Sequence, residues 1–187
     1  LSTSTINNTT TYINTIRINR FSLNGSTSDI NIARVLLHEC IHAYLNIKKI
    51  NCELGSTIPE LNGLDLQNLI GTFYQSFGCH IDVNGSPQSQ HVFMFDFMIP
   101  AFINILSSLK DDLISLNHQN IAASSVYYNN ETSNNENFDW NDFWYYMSLA
   151  GLQNTETFQN NIQNDPLKYT KYGFYTNMSH MLTKTCN

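Results

Sequence analysis

Residues 28–45 read SDINIARVLLHECIHAYL, and this stretch decides the fold. Ser28 is of the N-cap type, and Asp29 places a negative charge in the first turn, where the helix macrodipole favours it. Ile30, Leu37, Ile41 and Tyr44 recur on one face. That spacing predicts a helix to about Asn46, with Lys48 and Lys49 suited to its C-terminal end. Within it, His38, Glu39 and His42 form an H-E-x-x-H motif. Residues four apart share one helical face, so both imidazoles can reach one metal ion. Glu39 sits one residue along, where its carboxylate can take a proton from water on the metal. The metal this pattern implies is Zn2+, which lowers the pKa of bound water to about 7.

Two histidines leave a catalytic zinc site one protein ligand short. The extended motif with a third histidine six residues on is absent, because Leu45 and Lys48 hold its Gly and His positions. The open candidates are Glu60, Asp65, His80 and His91. His91 opens a strongly periodic apolar segment, so a helix would hold it rigidly. His80 lies in an irregular stretch, and Glu60 sits beside Pro59. His118 and His180 follow polar stretches and read as solvated surface residues. Cys40 lies off the metal face of the helix and reads as a buried small hydrophobe.

Working outward, residues 12–23 alternate Ile with Thr and Arg and predict a strand, closed by a turn at Asn24-Gly25. Residues 1–11 form a Ser/Thr/Asn tract that reads as a flexible N-terminal segment. A loop is expected over 51–63, a helix over 64–77, and irregular chain over 78–89. The helix from Gln90 should bury Met94, Met98, Ala101, Ile105 and Leu109, with a kink at Pro100. Residues 129–137 read as a polar loop. Asp139 caps a helix over 140–150 that ends at Gly151, and Thr155 caps a short one. Residues 169–175 read as an edge strand. Trp140, Trp144, Tyr145 and Tyr146 form an aromatic cluster better suited to helix packing than to a substrate wall.

Composition narrows the function classes. Among 187 residues only nine are Lys or Arg and the net charge is −6, which argues against a nucleic-acid binder. The longest basic run is Lys48-Lys49, which argues against a polybasic membrane patch, and no stretch reads as a membrane span. Polarity comes largely from 26 asparagines, with Ser, Thr and Gln, rather than from charge. Cys40, Cys52, Cys79 and Cys186 show no C-x-x-C spacing, so a zinc ribbon is excluded. A Cys52–Cys79 bridge and free thiols both remain open.

The run from Leu37 to Leu45 resembles the active helix of the SprT-like zinc metallopeptidases, which include the Spartan proteases. These carry H-E-x-I-H-A-Y-L or close variants, followed by a later H-G-x-x-F segment whose histidine is the third ligand. Here His91, Val92, Phe93, Met94 and Phe95 keep the His and Phe, with Val92 in the Gly position and a longer gap after His42. The resemblance implies His38, His42 and His91 as zinc ligands and Glu39 as general base. It implies an α+β fold, a mainly helical minimal zincin with a small N-terminal β-sheet packed on the motif helix. One zincin-like metallopeptidase domain is then expected over 12–187. The expected function is a zinc-dependent endopeptidase that hydrolyses peptide bonds through a zinc-activated water, with a protein or peptide as substrate. Two alternatives stand beside it. One is a zinc-stabilised binding domain with a closed site. The other, motivated by Leu1 and the Ser/Thr-rich start, is the peptidase toxin domain of a larger secreted polypeptide.

Overall fold

A computed structural model describes residues 2–6, 9–13, 15–16, 27–53 and 87–183. The described chain is mainly helical with small antiparallel sheets. It divides into two compact units, one of residues 1–18 and 38–90, the other of residues 19–37 and 91–187. The divisions at 37/38 and 90/91 fall inside continuous helices.

The first unit begins with strands β1 (Ser2–Ile6) and β2 (Thr9–Ile13), paired antiparallel with Ser2 opposite Ile13 and Ile6 opposite Thr9. Both strands fall largely within 1–11, the stretch expected to form a flexible tract. Repeated threonines, β-branched and stiff at χ1, favour extended chain over coil. Among the described residues of the strand expected over 12–23, Tyr12 and Ile13 lie in β2. Thr15 and Ile16 lie outside regular structure, and 17–26 lie outside the described residues.

Helix α1 (Asp29–Glu53) runs seven residues past its expected end and takes in the start of the loop expected over 51–63. Its first turns belong to the second unit, where they are tied down. Ser28 caps the helix, its Oγ accepting from the Asn31 backbone N–H at 3.3 Å. The Ser28 hydroxyl also donates to the Ser179 carbonyl. The Asn31 amide donates to Ser179 Oγ at 2.9 Å, the Thr183 hydroxyl donates to Asp29 at 3.2 Å, and the Arg34 guanidinium donates to the Ala150 carbonyl at 2.6 Å. Burial lowers the pKa of that guanidinium. The helix expected over 64–77 lies outside the described residues, as do Glu60, Asp65, His80, Cys79 and Cys186.

The next helical run among the described residues is α2 (Pro87–Phe93), a π-helical turn (Met94–Met98) and α3 (Ile99–Ser108). Pro100 sits in the first turn of α3, directly after the π turn. The widened turn before it changes the buried register. Met94, Met98, Phe102 and Leu106 face the core, while Ile105, expected inside, is 40% exposed. A π turn holds one more residue than an α turn, so positions beyond Met98 face inward one residue later than an unbroken 3.6-residue period predicts. Phe102→Ala is therefore expected to cost about 3–5 kcal/mol in a denaturation experiment, and Ile105→Ala about 1 kcal/mol or less. Equal costs would contradict this register. By length and composition Gln90–Ser108 is apolar enough to cross a membrane, which the sequence reading did not anticipate. Its inward residues belong to the core of the second unit.

Beyond α4 (Lys110–Leu113) and α5 (Leu116–Ala123), strands β3 (Val126–Asn129) and β4 (Asn134–Asn137) form a hairpin where a polar loop was expected. Tyr127 and Asn129 point inward and both donate to the Glu136 carboxylate, which supplies the polar strand with partners. Helix α6 (Trp140–Ser148) is capped by Asp139 as expected, and Gly151 follows at a φ of 99°. Thr155 caps α7 (Glu156–Phe158), which a second π turn (Gln159–Gln163) extends.

The edge strand expected over 169–175 is instead part of helix α8 (Pro166–Met181). Its start signal is Asp165, which caps Lys168 N–H, with Pro166 in the first turn. The aromatic content suggested a strand, but Tyr175 is fully buried and stacks on Tyr146 of α6 at 5.7 Å. Helix α6 packs on both α3 and α8, with Trp144 and Tyr146 in the core, so the aromatic cluster serves helix packing.

Candidate metal centre

His38 and His42 lie one turn apart on α1. Their rings meet edge to face with centroids 4.8 Å apart, and the two Nε2 atoms are 3.1 Å apart. His38 is buried at 8% exposure, and His42 is half-buried. The Nδ1 atom of His42 lies 2.6 Å from Oε1 of Gln90, a residue of α2. Gln90 immediately precedes His91, and one ligand atom from each of His38, His42 and His91 lies within 4.8 Å of the other two.

These three nitrogens suit a transition metal ion. Zn–N bonds of about 2.0–2.1 Å in a tetrahedron place neighbouring nitrogens about 3.3–3.4 Å apart. The His38–His42 pair already stands near that edge, at 3.1 Å. Three neutral imidazoles also suit zinc better than calcium or magnesium, which take oxygen ligands.

Of the residues singled out in the sequence, His38, His42 and His91 come together, and Glu39 lies beside them on α1, half-buried. His118 is half-buried rather than solvated, its Nδ1 2.6 Å from the Thr183 carbonyl oxygen, and His180 is exposed near Asn31. Neither joins the cluster. Cys40 is exposed and unbridged, which corrects the expectation of a buried residue. Two places on from His38, it faces away from the buried side of α1. The sequence reading missed Gln90, whose only signal was its place before His91.

An open cavity of about 450 Å³ lies elsewhere in the second unit, lined by Glu131, Tyr146, Lys168 and Lys171 among others. Both lysines are ion-paired, Lys168 with Asp165 at 3.2 Å and Lys171 with Asp142 at 2.8 Å. It contains none of the candidate site residues.

Comparison with protein-family models, with curated proteins and with solved structures finds no match to this chain.

Proposed function

We propose that this chain is a zinc-dependent endopeptidase of minimal zincin type. The observation that carries the reading is the convergence of His38, His42 and His91, two of them spaced by an H-E-x-x-H motif. The three imidazoles would hold the ion through ring nitrogens, and Zn2+ held there would supply Lewis acidity toward water and the scissile carbonyl. Glu39 takes the proton of the attacking water and passes it to the departing amine, acting as base and then as acid. Burial of His38 keeps bulk water from one side of the cluster and strengthens the electrostatic interactions within it.

The test is hydrolysis of an unstructured protein and a broad peptide library by zinc-loaded protein. Cleavage should stop with a chelator and return with added zinc. Stoichiometric zinc without cleavage of any substrate would sink the peptidase reading and favour a zinc-stabilised binding domain.

A further inference from the structure

We infer that Gln90 is a positioning residue for His42, fixing which ring nitrogen is offered to the metal. This rests on the metal-site reading above, although its primary readout needs no metal. An amide oxygen only accepts hydrogen bonds. With Gln90 Oε1 2.6 Å from His42 Nδ1, the proton of the neutral imidazole resides on Nδ1. The Nε2 lone pair is then exposed toward His38 Nε2, 3.1 Å away. Without that acceptor the Nδ1–H form loses this bond, and the Nε2–H form, which cannot ligate through that atom, gains share. Ligating histidines commonly give their second N–H to a carboxylate or backbone carbonyl, and loss of such a partner costs 10–100-fold in metal affinity. Here a side-chain amide takes that place, one residue before His91 on the same short helix, α2. One turn of chain thereby supplies both a ligand and the group that orients another.

The test compares wild type with Gln90→Met, which keeps the bulk and removes the acceptor, and Gln90→Glu, which keeps an acceptor oxygen at the same reach. Nitrogen-15 spectra of the His42 ring, in chelator-treated protein near pH 8, report the tautomer. Wild type and Gln90→Glu should show the Nδ1–H form. Gln90→Met should show a mixture or the Nε2–H form, with zinc affinity, read by chelator competition, down about 10–100-fold. Gln90→Glu should bind zinc as tightly as wild type or more tightly. An unchanged tautomer in Gln90→Met overturns the inference, as does a Gln90→Glu protein as impaired as Gln90→Met. A wild type that binds no zinc sinks the metal reading instead, and the tautomer comparison still decides the role of Gln90.

Discussion

Glu39→Gln is expected to retain wild-type zinc while losing about 10²–10⁴-fold in peptide hydrolysis. The amide is nearly the same size as the carboxylate, so α1 and the two histidines flanking position 39 should be undisturbed. It cannot accept a proton from water, so the proton-transfer contribution goes. Metal content measured beside single-turnover cleavage separates the two effects. Equal cleavage by the variant and wild type would exclude Glu39 as the base. Loss of both metal and activity would make Glu39 a ligand or a structural prop instead.

His42→Ala is expected to abolish stoichiometric zinc, taking the protein from about one ion per chain to a trace. This loss should exceed the ~100-fold that removal of an orienting partner such as Gln90 produces, because a bond to the ion is removed outright. His42 also makes two close contacts, with His38 Nε2 and Gln90 Oε1, so its removal opens the cluster on both sides. Elemental analysis of wild type and variant after gel filtration reads the difference. Equal zinc in both would place the ion elsewhere and remove the basis for the proposed chemistry. His118→Ala, which touches the Thr183 carbonyl and not the cluster, is the matched control.

Several features were legible because their causes are local. Ser28, Asp139 and Thr155 were readable as caps, since a short polar side chain before an apolar-periodic run satisfies backbone donors within its own turn. The His38–His42 pairing follows from helical spacing alone. His91 was harder, because its approach depends on chain between residues 42 and 91 that no local pattern specifies. The β3–β4 hairpin escaped notice because its polar strand gains partners only when Tyr127 and Asn129 reach Glu136. Helix α8 was misread as a strand from its aromatic residues. The Asp165-Pro166 start signal was local and available, but burial of Tyr175 against α6 decides the packing, and that is a tertiary effect. The long Gln90–Ser108 run was read with one unbroken period, whereas the chain changes period within it.

That change of period bears on how the molecule can vary. A widened turn holds an additional residue within about the same sweep around the helix axis. The azimuth of His91 and the azimuth of Phe102 and Leu106 are therefore set on opposite sides of a phase adjuster, Met94–Met98. A straight α-helix would lock the two together, so that any rotation improving the aim of the imidazole would turn hydrophobic residues out of the interior. With the adjuster in place, the turn that carries His91 can be tuned by substitution at Phe95, Asp96 and Phe97, which lie outside the fully buried core, while Met94 and Met98 keep their packing. Those three residues offer a design handle for the aim of the His91 imidazole without rebuilding the scaffold.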